Sequence, residues 1–322
     1  MLRFILRRLA YAGLLLLAVV TLNFLLIHIS PGDPVETIAG SMGGISEDLR
    51  AQLRTQYGLD KPFLVQLSLY LAQVLRGDLG YSYFFNVPVA HLIWDRVPAT
   101  LLLVVTSVFS AFIVGTLLGT LAARKPNGPL SQGITLLSVV GYSAPVFWTG
   151  IILIILFASV LPVFPVSDMR SAGGPQDGWA GVVDVLHHLA LPAFTLAFVY
   201  LAQYSRLARA SVMEALSADY IRTARAKGLP ERSVLYKHAL RNGVLPVVTM
   251  LGLQFGNVMA GAIIVETVFN WPGLGRLAFD SVLRRDYPTI LGVLLFSSIV
   301  VVVMNLLTDL AYRLIDPRIK TA

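Results

Sequence analysis

The chain has 322 residues, of which 56% are hydrophobic and only 13% charged, with a formal net charge of +7 and no cysteine. A mean hydropathy of +0.73 leaves too little polar surface to clothe a water-soluble globule. The sequence belongs in a bilayer, its basic excess reads as membrane-flanking loops rather than a nucleic-acid footprint, and disulfides, thiolate metal sites and a cysteine nucleophile are excluded.

Arg3, Arg7 and Arg8 open the chain, and an apolar run then extends to Ile29. At about 20 residues it exceeds the roughly 7 to 15 of a secretory signal, so it reads as an uncleaved first span. A spanning helix needs about 20 largely apolar residues. Five further runs meet that length, at 98–122, 133–161, 189–210, 244–268 and 289–314. Six spans put both termini on one side. That side carries 16 of the 25 Lys and Arg and 5 of the 18 acidic residues, which by the positive-inside rule makes it cytoplasmic. The expected fold is an all-α polytopic membrane protein with six transmembrane helices, cytoplasmic N and C termini and a small helical external region. Its expected divisions are a first span with a basic terminus (1–30), an external helical cap (31–97), a five-helix membrane core (98–314) containing the cytoplasmic loop 211–243, and a cytoplasmic tail (315–322).

Within the cap, Ser46 followed by Glu47 and Asp48 predicts a helix start, with Gly58 closing that helix. Pro62 suits the first turn of a second helix ending near Gly77, which is too short and polar to span. The loop 161–188, rich in Pro and Gly, carries no periodic signal.

No G-x-x-x-x-G-K-[ST] occurs, so this chain has no phosphate-binding loop of its own. Gly273, Gly275 and Ala278 match a relaxed dinucleotide pattern, but no strand precedes them, and a tight turn in an external loop is the expectation. His187 and His188 are adjacent and point to different faces of a helix, so no metal site is expected. H-E-x-x-H and G-x-S-x-G are absent, which argues against hydrolysis by those routes. Gly115 with Gly119, and Gly252 with Gly256 and Ala260, permit close helix approach. Gln254, Asn257 and Glu266 in the fifth span, and Asn305 with Asp309 in the sixth, must face protein or a water-filled path. The first three are the candidates for a translocation path.

Between the fourth and fifth spans, Asp219 to Asn242 carries six Lys or Arg. On a helical wheel Tyr220, Ile221, Ala224 and Gly228 fall together while Arg222 and Arg225 project elsewhere; Gly228 and Pro230 stop the helix after about two turns. Small residues on that face suit docking against protein better than insertion into lipid. This segment resembles the cytoplasmic coupling loop, the EAA loop, of permease subunits in binding-protein-dependent ABC importers. The likeness continues through PGDP at Pro31, GLDKP at Gly58, GDLG at Gly77, RVPATL at Arg96, SAPVFW at Ser143, HALRN at His238, WPGLGR at Trp271, RRDYP at Arg284 and DPRIK at Asp316. It covers nearly the whole chain and is similar to the dipeptide and oligopeptide B-type permeases.

The resemblance implies a bacterial inner-membrane permease subunit that forms a peptide path with a second, homologous permease. It also implies two cytoplasmic ATP-binding subunits that hold the ATP and magnesium, an external substrate-binding protein and the lipid bilayer as partners, with no nucleic acid. This chain would hold no cofactor, metal or catalytic residue. Asp219, Tyr220, Ile221, Arg222, Thr223, Ala224, Arg225, Ala226, Lys227 and Gly228 would couple it to the ATPases. In the family pattern E-A-A-x-x-x-G the second alanine is Ala224 and the glycine Gly228, whereas Arg222 replaces the glutamate and Lys227 the aspartate before the glycine. An importer of nickel or another small solute shares the scaffold. An ion-coupled secondary transporter is the reading from another class, for which Asp309 lies too near the end of its span.

Overall fold

The computed structural model describes residues 2–29, 35–36, 44, 46–56, 60–175 and 177–315. They are mostly helical and fall into two compact units, residues 1–99 with 273–306 and residues 100–272 with 307–322.

In the first unit, helix α1 (Leu2–Ile29) presents leucines to its surroundings along most of its length and buries Val20, Asn23 and Phe24 near its end. Ser46 directly precedes α2 (Glu47–Gln56), and its carbonyl accepts the N–H of Arg50 at 3.0 Å. Gly58 lies outside the described residues. Pro62 stands at the N-cap of α3 (Phe63–Leu75), where its carbonyl accepts the N–H groups of Val65 and Gln66, and Gly77 with φ +78° ends that helix. Helix α3 packs on α1 through Phe24, whose ring lies 5.3 Å from Phe63 and 5.8 Å from Tyr70. Burial there pushes the Tyr70 hydroxyl up to about 12.

A hairpin absent from the sequence expectations follows, β1 (Tyr81–Ser82) pairing antiparallel with β2 (Val87–Pro88) around a turn that holds Asn86 at φ +57°. Helix α4 (Val89–Arg124) begins nine residues before the expected span, because His91, Asp95, Arg96 and Pro98 interrupt the hydropathy without interrupting the helix. The expected border at 97/98 therefore falls inside α4. Its first turns, at Val89, Leu92, Ile93 and Val97, form a core with Leu274 and Leu277 of α10 (Leu274–Arg284) and Val293 of α11 (Tyr287–Ile315). The hairpin is tied to the α10–α11 corner by the Asp286 carboxylate, which accepts the hydroxyls of Ser82 at 2.5 Å and Thr289 at 2.7 Å. Gly273 serves as the N-cap of α10 and Gly275 lies within it, so the Gly-x-Gly stretch starts a helix instead of forming only a turn.

In the second unit, α5 (Pro129–Ser143) and α6 (Val146–Leu153), the latter continued by a π-helical stretch (Ile154–Val160), take the place of the single span expected over 133–161. They meet at a bend of 109°. Pro145 is the cause: it disfavours helical dihedrals at Ala144, which sits at φ −77°, ψ 128°. Helix α7 (Gly178–Ser217) has 40 residues. That is about 60 Å at the α-helical rise, roughly twice the thickness of a bilayer's hydrocarbon core. It packs against α4, α5, α6 and α9 (Leu245–Val268). Gly115 and Gly119 let α4 approach it: a Cβ on Gly119 would stand 2.3 Å from the Ser205 carbonyl oxygen.

Among the described residues, four helices (within α1, α4, α7 and α11) are long and apolar enough to cross a membrane, and the bent pair is a fifth candidate. The chain is thus a polytopic membrane protein.

Candidate functional site

The basic segment folds as helix α8 (Asp219–Ala226), entered directly from α7 and followed by a short helical turn (Glu231–Ser233), a π-helical stretch (Val234–Ala239) and a further turn (Leu240–Gly243). Eight residues are too few to hold a helix in water, so α8 depends on tertiary anchoring. Ile221, fully buried, and Ala224, 5% exposed, supply it. They pack with Ala123 at the end of α4, Val212 of α7, and Val234, Leu235 and Ala239 of the π-helical stretch.

This reverses part of the expected docking face. Of Tyr220, Ile221, Ala224 and Gly228, the middle two turn into the chain's own core and only Tyr220 and Gly228 remain exposed. A helical wheel groups residues by direction but does not say which partner covers them. The signal that could have shown it is the apolar set Val212, Val234, Leu235 and Ala239 flanking the helix on both sides in sequence. The outward surface comprises Asp219, Tyr220, Arg222, Thr223, Arg225, Ala226, Lys227 and Gly228. Arg222 stands 3.4 Å from Asp219. Arg225 reaches forward to Glu231, with Nε donating to Oε1 at 2.8 Å and the second guanidinium nitrogen to Oε2 at 3.4 Å, which bridges the turn at Gly228. Gly228 adopts φ +74° in open space, so glycine is there for the backbone turn rather than for a close contact.

The polar candidates of the fifth span are separated by the structure. Gln254 is buried and donates from Nε2 to Gln203 Oε1 of α7 at 2.5 Å, a partner the sequence reading did not single out. Asn257 lies within α9, but its side chain is outside the described residues. Glu266 is fully buried and accepts the Thr100 hydroxyl of α4 at 2.7 Å, while its carbonyl accepts the Trp271 N–H at 2.8 Å. Gln254 and Glu266 thus tie α9 to neighbouring helices by hydrogen bonds. His188 is buried with Nδ1 2.8 Å from the Asp184 carbonyl oxygen, and exposed His187 has Nε2 2.8 Å from the Val163 carbonyl oxygen. Among the described residues no group of three His, Cys, Asp or Glu could hold a metal ion.

An anchored two-turn helix with a charged outer surface, set between the long helices of a membrane protein, can act as a handle: force on it passes directly to α4 and α7. A family model described as the binding-protein-dependent transport system inner membrane component matches residues 115–321, and the corresponding N-terminal model matches residues 1–104. The chain belongs to this family. It is 41% identical over 337 residues to the dipeptide transport system permease protein DppB of Escherichia coli (strain K12), a match covering 99% of each chain. It is 39% identical over 318 residues to the oligopeptide transport system permease protein AppB of Bacillus subtilis (strain 168), covering 98% of this chain and 99% of that one. A di/tripeptide transport system permease protein DppB of Pseudomonas aeruginosa is 38% identical over 334 residues, again at 99% of each. The likeness puts the chain with the peptide permeases of its family.

Proposed function

We propose that the chain is the transmembrane permease subunit of an ATP-driven importer and forms, with a related subunit, the path for dipeptides or oligopeptides across a bacterial inner membrane. In this reading six spans place both termini in the cytoplasm, the cap at 31–97 faces outward, and the loop 211–243 meets the ATPases. Two ATP-binding subunits perform the hydrolysis and an external binding protein delivers the substrate. The observation that carries the reading is helix α8: Ile221 and Ala224 seat it on the chain's own core while Tyr220, Arg222, Thr223, Arg225 and Lys227 face outward. A close-packed contact of this kind moves as a unit, so displacement of α8 by closing ATPases carries the inner ends of α4 and α7 with it. The full-length likeness to peptide permeases supports the substrate class.

The test is reconstitution of the chain with the products of its neighbouring genes in proteoliposomes. ATP-dependent accumulation of a labelled dipeptide, saturable and dependent on the binding protein, is the expected result. Uptake driven by an ion gradient without ATP would overturn the class. ATP-dependent uptake of nickel but not peptides would overturn the substrate.

A further inference from the structure

Helix α10 has two apolar sectors, and only one is covered. Leu274 and Leu277 are buried against α4 and α11. Phe279, Val282 and Leu283, at i, i+3 and i+4, are 42%, 57% and 69% exposed. On the helical wheel the two sectors join into an apolar arc of about 240°. The rest of the circumference is a narrow charged edge of Arg276, Asp280 and Arg284, with Arg276 Nε 3.7 Å from Asp280.

Three neighbours fix the depth of this helix. It contacts α4 at Leu92, Ile93 and Val97, the turns that also carry Trp94, which is 64% exposed with its ring 5.6 Å from Phe296. Exposed tryptophan at the end of an apolar helix marks a membrane–water boundary. On the same turn of α4 the exposed His91–Asp95 pair, at 3.6 Å, brackets Trp94 with polar groups, as a boundary position requires. At its other end α10 runs through Arg285, at φ +58°, and Asp286 into α11, a spanning candidate whose apolar residues Leu294, Ile299 and Val303 are themselves exposed.

We propose that α10 lies in the lipid headgroup boundary at the end of the membrane where α4 begins. Phe279, Val282 and Leu283 insert among acyl chains, Arg284 and Arg285 meet lipid phosphates, and the Arg276–Asp280 edge faces water. Arg284 is held for this role by Phe84, its guanidinium carbon 3.9 Å from the ring centroid, so the hairpin sets the height of the cationic end. The occupant is lipid because α10 leads within two residues into a helix apolar enough to span, and its uncovered sector is bordered by Arg284 and Arg285, the pattern of an interfacial helix. The inference requires only that the chain is membrane-embedded and does not depend on the transported solute.

The absence of cysteine makes the test direct. Single substitutions Val282→Cys, Leu283→Cys and Asp280→Cys are spin-labelled in the chain purified with its associated subunits. Each is reconstituted in phosphatidylcholine/phosphatidylglycerol vesicles, with Val303→Cys as the lipid reference and Ser46→Cys as the water reference. Labels at 282 and 283 should collide with oxygen several-fold more than with a water-soluble nickel chelate, approaching the ratio at 303, while the label at 280 resembles that at 46. Nickel accessibility at 283 equal to that at 46 overturns the proposal in favour of a water-exposed face. Shielding from both reagents overturns it in favour of a protein partner, and shielding only after the substrate-binding protein is added identifies that partner. Should the cysteine variants fail to assemble, the fluorescence that Phe279→Trp adds to that of the parent chain's four tryptophans gives the same decision in vesicles of brominated lipid: quenching of the added signal supports insertion, and an unquenched added signal refutes it.

Discussion

Replacing Ile221 with alanine separates the inward face of α8 from its outward one. Ile221 is fully buried, and a large-to-small change at such a site costs about 2 to 5 kcal/mol. The loss falls locally, since the buried residues of this eight-residue helix are Ile221 and Ala224. At about 1.4 kcal/mol per tenfold, the population of seated α8 falls relative to unseated by roughly 30-fold to several-thousand-fold. Arg222→Ala is the contrast. Its side chain is 79% exposed and its pair with Asp219, at 3.4 Å, is of a kind worth at most about 1 kcal/mol, so α8 stays seated without it. Trypsin reads the first effect and the ratio of solute uptake to ATP hydrolysis in proteoliposomes reads the second. Ile221→Ala should be cut faster at Arg222, Arg225 and Lys227 and should hydrolyse ATP with little uptake. Arg222→Ala should keep wild-type cleavage at Arg225 and Lys227. Wild-type proteolysis together with wild-type uptake in Ile221→Ala would refute the claim that α8 is held by its own chain.

Gly119→Val forces a Cβ to 2.3 Å from the Ser205 carbonyl oxygen and 2.8 Å from Ala208 Cβ, so it should lose at least about 1 to 3 kcal/mol and melt earlier in detergent. Gly133→Ala, with nothing within 4 Å, should be neutral or gain about 0.5 to 1 kcal/mol. Asp286→Leu removes the acceptor of the Ser82 and Thr289 hydroxyls, at about 1 to 3 kcal/mol for each one stranded, and a thermal shift smaller than that of the conservative Asp286→Asn would contradict the network. At Gly228, asparagine tolerates φ +74° whereas valine does not, so Gly228→Asn should retain most uptake and Gly228→Val should lose it at similar membrane levels.

Much of this organisation was legible without coordinates, because a bilayer demands long apolar runs and punishes exceptions. The apolar run to Ile29, the runs within α4, α7 and α11, the helix starts at Ser46 and Pro62, and the stop at Gly228 follow from residue chemistry acting over a few positions. The start of α4 at Val89 was hidden, since hydropathy reports the apolar stretch of a helix and not its polar overhang. The break at Ala144 was written in Ser143-Ala144-Pro145, yet a proline is also compatible with a continuous kinked span, as Pro192 within α7 shows.

What the sequence determined by itself was the medium, the helices and the two-faced character of α8, for all of these are set by the periodicity and transfer energy of a local stretch. What only the tertiary structure decided was who meets each face. Ile221 and Ala224 turn inward because the chain folds its flanking Val212 and Val234, and Ala123 from about a hundred residues away, over them; Gln254 finds Gln203, Glu266 finds Thr100, and Ser82 finds Asp286 across some two hundred residues. Burial is a property of pairs of surfaces, and one strand of sequence carries only one surface of each pair.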